Sequence, residues 1–465
     1  MIDLETAKRI IKKHSTNHAA FIARAMVAQR YYLNESDIIF QRRIRSDDEE
    51  KPLRNADNRI PRNFHGLLVD QKSVYAFTSP PSFDVGSKSA NQRIAKVLGD
   101  EFTQNCMELC INAANTSVGW VHYWQGENGF EWAVIPSEEV WPVFDGSLKK
   151  KLLAVLRIYQ ELDENDGEDY VVYEYWTERE CQAFRRRTSD TIEDGLMWFS
   201  KFTSPYDTGE MVAEYIHDLG DVPFVPFWNN NRHTDDLKNI KKLIDVYDKV
   251  YSGFINDLDD VQELIFVLTG YGGEDLNEFL NNLKKYKVVK LNDDGMSDKS
   301  GLSTLSIEIP IEARNSVLEA TRKAIFEQGQ GFDPQPENFG NQSGVALKFM
   351  YAMLEMKVGM MEAQFRFGFG RLIRAICKAE NISCENIIQS WYRTSIRNDL
   401  EQSQICKESV GIVSDRTILE NHPLVEDVDE ELKRLEKQKE DEQEQYGNMF
   451  AAVQDNLDNS KGDAE

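Results

Sequence analysis

Three aspartates near the end of one helical segment, Asp257, Asp259 and Asp260, have the spacing that most resembles a catalytic cluster. A second acidic pair, Asp293 and Asp294, lies in the segment that follows. Clustered carboxylates can hold two metal ions for phosphoryl transfer. However, Asp257 and Asp260 lie on the polar side of a helix whose other side is apolar, which is typical of a solvated helix face. A metal-dependent nucleic-acid enzyme therefore remains only an alternative interpretation.

Other reactive residues do not form a recognisable site. His14 and His18 are four residues apart on a predicted helix, but no third metal ligand is near in sequence. Of the six cysteines, Cys106 and Cys110 are one helical turn apart and no C-x-x-C pair occurs. No phosphate-binding glycine loop, nucleophile elbow or H-E-x-x-H motif is present in the sequence. We expect cysteines that pack as small core residues, no metal, no cofactor and no enzymatic activity.

Length and charge limit the class of protein. The chain has 465 residues, 41% of them hydrophobic, and a formal net charge of -25. This length predicts two to four modules. There is no apolar run of the ~20 residues that a membrane helix needs, and no secretion-signal pattern, so we expect a cytosolic origin and no membrane partner. The acidic charge argues against tight binding of nucleic acid, but it suits a duct through which DNA must slide.

The first half of the chain predicts helices followed by a sheet. Apolar spacing indicates helices over residues 1–30, 61–78 and 91–115. Residues 118–216 are aromatic and β-branched with frequent turn signals, which is typical of several short strands. The acidic run 163–169 resembles a calcium loop, but its glycine is displaced by one position, so we expect a hairpin turn. Two prolines predict an extended segment over residues 222–231.

The second half predicts three long helices separated by two insertions. A helix that begins at Thr234 or Asp235 continues to 262, and a small unit with two strands and a short helix follows over 264–310. Further helices are expected from Pro310 to Gly329 or Gly331 and over 343–378, on either side of a Pro- and Asn-rich loop. A strand over 391–397 should join the earlier sheet, and residues 400–445 should be helical. The apolar stripe that should pack along the whole first helix includes Ile240, Ile244, Tyr247, Tyr251, Phe254 and Leu258.

Several stretches in this order resemble the portal proteins of tailed bacteriophages, of the type found in long-tailed phages of Gram-positive hosts. The resemblance spans roughly residues 20 to 440. It is carried by VPFVPFWNN at 222–230, by DLKNIKKLID at 236–245, by YDKVYSGFINDLDD at 247–260 and by NFGNQSGVALK at 338–348.

The resemblance implies an α+β portal fold with an α/β wing, a long-helix stem, a small α/β clip, a tunnel loop and helix, and a helical crown. The implied divisions are 1–60 for an N-terminal helix and connection, 61–231 for the wing, 232–263 for the first stem helix, 264–310 for the clip, 311–331 for the second stem helix, 332–343 for the tunnel loop, 344–380 for the tunnel helix, 381–399 for a strand returning to the wing, 400–446 for the crown and 447–465 for a disordered acidic tail.

The resemblance also implies a function. Twelve copies would form a ring at one vertex of the virion capsid, after assembly in the host cytoplasm, and double-stranded DNA would pass through its channel during packaging and ejection. Expected partners are the terminase large subunit, the head-tail adaptor, and the capsid and scaffolding proteins. The residues implied at the DNA channel are Gln335, Glu337, Asn338, Asn341, Gln342 and Lys348, and those at the clip are Lys284, Lys285, Lys287 and Lys290. The alternative to a portal, besides the enzyme above, is another structural component of the head or tail.

Overall fold

The computed structural model describes residues 2–41, 56–126, 129–204, 209–261, 265–269, 301–305, 310–334, 344–393, 399–425, 428 and 430–438. The chain divides into two compact units. The first comprises Met1–Asp333 and Met353–Thr394, and the second comprises Pro334–Ala352 and Ser395–Glu465. Helices and sheets both contribute to the structure, which confirms the α+β class.

Helices of very different lengths contribute to the first unit. Asp3 accepts a hydrogen bond from the Thr6 amide and Asn63 accepts one from the Gly66 amide, so the first two helices have side-chain N-caps. The helices are α1 (Leu4–Tyr32), α2 (Phe64–Phe77), α3 (Lys88–Leu98), α4 (Phe102–Thr116), α5 (Ile192–Gly195), α6 (Lys241–Val261), α7 (Ile311–Gly329) and α8 (Gly344–Ala379), the last of which begins in the second unit.

The helix predicted over 91–115 is two helices, and the single-helix prediction was wrong. The break falls at Gly99, whose φ of 78° is readily adopted only by glycine. The Gly99 amide closes α3 by donating to the Ala95 carbonyl, and the Phe102 amide donates to the Gly99 carbonyl as α4 begins. Helical apolar spacing continues across the break, which is why periodicity did not reveal it.

The region predicted as β-rich is a set of antiparallel sheets. One sheet follows the order β11-β7-β6-β5-β4 with β8 beside β7, and another follows β12-β2-β3. The strands of these sheets are β2 (Val118–Gly126), β3 (Gly129–Ile135), β4 (Val140–Phe144), β5 (Leu152–Asp163), β6 (Glu168–Trp176), β7 (Glu180–Arg187), β8 (Met197–Trp198), β11 (Glu214–Ile216) and β12 (Phe224–Trp228). The pair β9 (Phe202–Thr203) and β10 (Met211–Val212) stands apart.

The acidic run at 163–169 is the hairpin turn that the sequence predicts. Strands β5 and β6 pair up to Asp163 and Glu168 on either side of it. Asp163 Oδ2 accepts from Arg185 Nη1 at 2.7 Å, so this carboxylate at the end of β5 forms an ion pair with β7, across the intervening strand β6.

The predicted strand at 391–397 was misplaced. The structure has β15 at Ile388–Ser390, and it pairs with β1 (Ser82–Asp84) rather than with the larger sheets. Arg366 on α8 holds this strand, because its Nη1 donates to the Gln389 carbonyl at 3.1 Å. Residues 394–397 lie outside the described residues.

The insertion between α6 and α7 is described only in part. Strand β13 (Ile265–Thr269), which the sequence predicts, pairs antiparallel with β14 (Gly301–Leu305), which it did not. The helix and second strand expected between them lie outside the described residues.

The segment 400–445, predicted to be helical, is helical over part of its described length and is interrupted at 409–414 and 421–425. Its described helices are α9 (Asp399–Glu408), α10 (Asp415–Glu420) and residues 430–438, and Gly411 with φ 82° lies between the first two. The tail from 447 lies outside the described residues.

Replacing Gly119 with Ala should destabilise the first unit by about 1–3 kcal/mol, because overpacking a tight site forces the backbone to shift. A Cβ at this β2 position would lie 2.7 Å from the Leu109 carbonyl oxygen of α4. Gly146→Ala is the control, since its Cβ would meet nothing within 4 Å. Chemical unfolding followed by circular dichroism measures both, and equal stability of the two variants would contradict this packing.

Candidate functional site

The helix expected to begin at Thr234 or Asp235 begins at Lys241, and the earlier start was wrong. Asp235 does accept a hydrogen bond from the Lys238 amide at 2.8 Å, as an N-cap would. However, the chain then makes a tight turn, in which the Ile240 amide donates to the Leu237 carbonyl three residues back. The backbone of Asp236 is held elsewhere, because its amide donates to the Ala114 carbonyl at the end of α4.

That turn places the Asp236 carboxylate in a buried charge cluster, formed by Lys72, Asn229, Asp236 and Lys357. Two ammonium groups share one oxygen: Asp236 Oδ2 lies 3.0 Å from Lys72 Nζ and 3.1 Å from Lys357 Nζ. Asn229 Nδ2 donates to the other oxygen at 2.8 Å, and Asn229 Oδ1 accepts from Lys72. All four side chains have less than a tenth of their surface exposed.

The charges in this cluster do not balance. Burial opposes ionisation of Asp236, but Lys357 and Lys72 overcome it and hold the pKa of this carboxyl well below its usual range. Burial lowers the pKa of Lys357, with Asp236 opposing that shift and Lys72 adding to it. A single carboxylate therefore compensates two buried ammonium groups, and the cluster depends on it.

The same cluster fixes the end of α7. Lys357 Nζ donates to the Gly329 carbonyl at 2.8 Å, and that carbonyl belongs to the last turn of the helix, where carbonyls lack helical partners. Gln330 follows with φ 54°, the left-handed conformation that ends many helices. Helix α8 thereby holds the position at which α7 stops.

Beyond α7 the chain is pinned on both sides before it reaches the Pro- and Asn-rich loop. Gln71 on α2 forms a two-way clamp on Phe332, donating to its carbonyl at 2.9 Å and accepting from its amide at 3.3 Å. Arg322 on α7 binds both oxygens of Asp333, at 2.7 and 2.6 Å. A bidentate pair fixes orientation as well as distance. We call residues 329–333 the loop base.

The two glycines of the loop base allow close packing against α2. A Cβ on Gly329 or Gly331 would lie 2.5 or 2.2 Å from a methyl carbon of Leu68 on α2. Real side chains do not approach so closely, so a larger residue at either position would force the Leu68 side chain or α2 to move. The backbone of the loop base is therefore laid directly on α2.

Helix α6 carries a second polar device, an extended strap of residues 57–62. Three backbone amides of the strap, two residues apart, donate to three side chains of the helix, four residues apart. The Arg62 amide donates to Asp248 at 3.0 Å, the Ile60 amide to Ser252 at 3.0 Å and the Asn58 amide to Asn256 at 2.6 Å. Four helical residues rise about 6.0 Å and two extended residues span about 6.6 Å, so the two repeats match. The buried Asp248 also accepts from Ser36 at 2.5 Å.

The acidic cluster that suggested metal chemistry is occupied by other contacts. Asp257 pairs with Arg314 of α7, and Asp259 accepts from Asn58 of the strap at 2.6 Å. The side chain of Asp260, and Asp293 and Asp294, lie outside the described residues. In the described part of the chain, no three His, Cys, Asp or Glu side chains are grouped so that they could hold a metal ion.

The remaining chemical candidates have structural surroundings. The ring of His18 lies against Phe21 and Trp141. Its pKa is lowered to about 4, mainly by burial and to a smaller extent by the charge of the neighbouring His14. The six cysteines are free thiols, and burial of Cys106, Cys110, Cys181, Cys377 and Cys406 confirms the core assignment for these five, whereas Cys384 is only partly buried. No helix among the described residues is both long and apolar enough to cross a membrane.

The apolar stripe of α6 packs at one end only. Ile240 and Ile244 are buried in a cluster with α1, α2 and α7 residues, and Tyr247 packs at its edge. Tyr251 and Phe254 are half-buried, and Leu258 is 39% exposed. Within the described part of this chain, the stripe is therefore buried at its N-terminal end and more exposed toward its C-terminal end.

The other predicted site residues are not tested by the structure. The loop residues Gln335, Glu337, Asn338, Asn341 and Gln342 and the lysines 284, 285, 287 and 290 lie outside the described residues, as does the side chain of Lys348. Sequence reasoning missed Lys72, Asp236 and Lys357. Lys72 and Asp236 have polar neighbours in the sequence, so no local pattern distinguished them from solvated charges, and only their burial reveals the cluster.

The fold and site define an α+β protein in which the segment after α7 is held by side chains of α2, α7 and α8. The sequence matches the family model for phage portal protein, SPP1 Gp6-like, over residues 11–445, and the chain belongs to this family.

Named relatives agree with that assignment. The portal protein of Clostridium phage phiCD119 is 39% identical over 444 residues, which cover 92% of this chain and 94% of the relative. The portal protein of Bacillus phage SPP1 is 29% identical over 437 residues, covering 90% and 84%.

Solved structures with weaker similarity come from gene transfer agent particles. The neck of the empty particle matches with a TM-score of 0.42 at 11% identity, covering 80% of this chain and 92% of that chain. The native virion matches with a TM-score of 0.43 at 11% identity and the same coverage.

Removing the shared carboxylate should cost far more stability than removing one of its lysines. Asp236→Asn leaves two buried cations without an anion and should destabilise the first unit by about 3–5 kcal/mol. Lys357→Met leaves one cation for one carboxylate, and should cost less than half as much despite loss of the Gly329 contact. Urea unfolding compares them, and equal losses would contradict the charge argument.

A second prediction concerns pH and the strap. Burial, only partly offset by the Ser36 and Arg62 hydrogen bonds, raises the pKa of Asp248 to about 6 from its ordinary 3.8. Because the folded-state pKa is the higher one, the contribution of this group to stability is complete below about pH 4 and is lost as pH rises through 6. The difference in unfolding free energy between Asp248→Asn and wild type should therefore shift in favour of the variant by about 2–3 kcal/mol as pH rises from 4 to 7. A difference that stays constant across this range would show that the carboxylate titrates normally.

Proposed function

We propose that copies of this chain close into a ring whose central channel passes double-stranded DNA during packaging and ejection. The observation that carries the proposal is membership of the phage portal family along residues 11–445, with a relative 39% identical that is itself named a portal protein. The role is structural: the ring conducts DNA and supplies no catalytic group. The virion portal vertex is the proposed location, and the host cytoplasm is the proposed place of assembly.

The geometry supports a loop that narrows this channel. The loop base is held by the Gln71 clamp, by the Arg322–Asp333 pair and by the Lys357 contact to α7. A constriction must keep its place while DNA moves past, so rigid attachment of its starting point suits that role. We propose that residues 332–343 form the constriction, with Gln335, Asn338, Asn341 and Gln342 as neutral contacts, Glu337 as a repulsive one and Lys348 as a partial offset.

The remaining divisions follow the same proposal. Helices α6 and α7 form the stem, residues 264–310 form the clip with Lys284, Lys285, Lys287 and Lys290, and residues 400–446 form the crown. The wing is built from residues 61–231. The clip is the proposed docking surface for the terminase large subunit and afterwards for the head-tail adaptor, while capsid and scaffolding proteins surround the ring.

Ring formation is the direct test. Electron microscopy and mass measurement of the chain, alone and assembled with capsid and scaffolding proteins of its own phage, should show closed rings with a central hole. Another structural head or tail component would enter particles without forming such a channel, and that outcome would contradict the proposal.

Lengthening the loop should separate assembly from DNA passage. Insertion of four glycines between Asn338 and Gln342 should leave ring mass unchanged and lower DNA packaging at least tenfold, because the constriction would no longer hold its shape. The same insertion in the exposed β5–β6 turn at Asp166–Gly167 is the control and should package normally. Normal packaging by the loop variant would contradict the constriction.

A further inference from the structure

Helix α6 has an exposed face that the described part of its own chain does not cover. Lys242, Val246 and Lys249 are exposed and Gly253 is half-exposed, and the four residues are spaced by four, three and four. This is the spacing of a seam between two helices. Val246 is 46% exposed, which leaves an apolar residue between two cations.

Helix α7 has an exposed face of the same spacing and opposite charge. Its members, all exposed, are Glu312, Ser316, Glu319, Lys323 and Glu327. The three glutamates outnumber the single lysine, which lies 3.9 Å from Glu327 on the same helix. The two faces therefore differ in sign, and each one lies away from the contact between α6 and α7.

The internal contacts of the pair show which residues lie at the same level. The pair is antiparallel, since Asp257 binds Arg314 near one end and Ile240 lies beside Gly329 at the other. Each step forward along α6 corresponds to one step back along α7. Lys242 is thus level with Glu327, Lys249 with Glu319, and Val246 with Lys323.

We propose that the outer face of α6 binds the outer face of α7 on the next copy of this chain, with Lys242 and Lys249 opposite Glu327 and Glu319. The occupant is a second copy because the two faces are complementary in charge and spacing, and because they are different faces. Different faces give a heterologous contact, which closes into a ring when its rotation allows. This inference rests on the proposed ring and adds the residues that join its subunits.

Two charge-reversed variants test this pairing. Lys242→Glu with Lys249→Glu makes both faces acidic, and Glu319→Lys with Glu327→Lys makes both faces basic. Each variant alone should need at least about tenfold higher protein concentration for half assembly than wild type, because two attractive pairs at every interface become repulsive. Circular dichroism and melting of each variant confirm that the unassembled chain is folded.

Mixing the two variants is the decisive experiment. In an alternating ring, every interface would join a lysine face to a glutamate face, so the mixture should assemble near the wild-type concentration. Native mass spectrometry should find equal numbers of the two variants in each ring. Lys88→Glu with Lys96→Glu, on the exposed side of α3, is the control with the same change in net charge and should assemble alone.

The outcomes separate this inference from the proposed function. Two results would overturn the pairing without contradicting the proposed function. One is that either variant alone forms rings at the wild-type concentration, and the other is that the mixture fails to assemble. Normal rings that no longer package DNA would assign these faces to another protein and also overturn it. Failure of the wild-type chain to form rings would instead contradict the proposed function.

Discussion

The buried carboxylate of Asp236 is the interaction on which the rest of the first unit depends. It lies within 3.1 Å of two ammonium groups, from Lys72 on α2 and Lys357 on α8, and it begins the turn that leads into α6. Lys357 also reaches the last turn of α7. Buried cations are costly unless they are compensated, so four helices can occupy these positions together only while this one anion is present.

Around that cluster, polar contacts determine the register of the helices, which apolar packing alone would leave undetermined. Apolar stripes let neighbouring helices slide by a turn with little change in buried area. The strap on α6 prevents such sliding, because three amides must meet three side chains in step. The clamp of Gln71 on Phe332 and the bidentate Arg322–Asp333 pair fix the loop base in the same way. Directional bonds therefore determine where the loop starts, and the apolar core determines only that the helices stay together.

Exposed charge on α6 and α7 extends the same logic beyond one chain. Val246 and Leu258 remain exposed on α6, although Ile244 on the same helix is buried. A net charge of -25 would oppose association of copies unless the contacting faces carried opposite signs. Lysines on one face and glutamates on the other meet that requirement, and they also select one register among those that an apolar seam would allow.

The sequence by itself determined the α+β class, the long helices and the antiparallel strands, because apolar periodicity reports local geometry that tertiary packing then uses. It also carried the family resemblance. Tertiary structure alone decided the rest: that Asp236, next to the predicted N-cap Asp235, lies in a buried ion cluster, that Gly99 divides one periodic stretch into two helices, and that strand 388–390 pairs with residues 82–84. Burial and long-range pairing are properties of distant segments brought together, and no local pattern of residue types records which segments will meet.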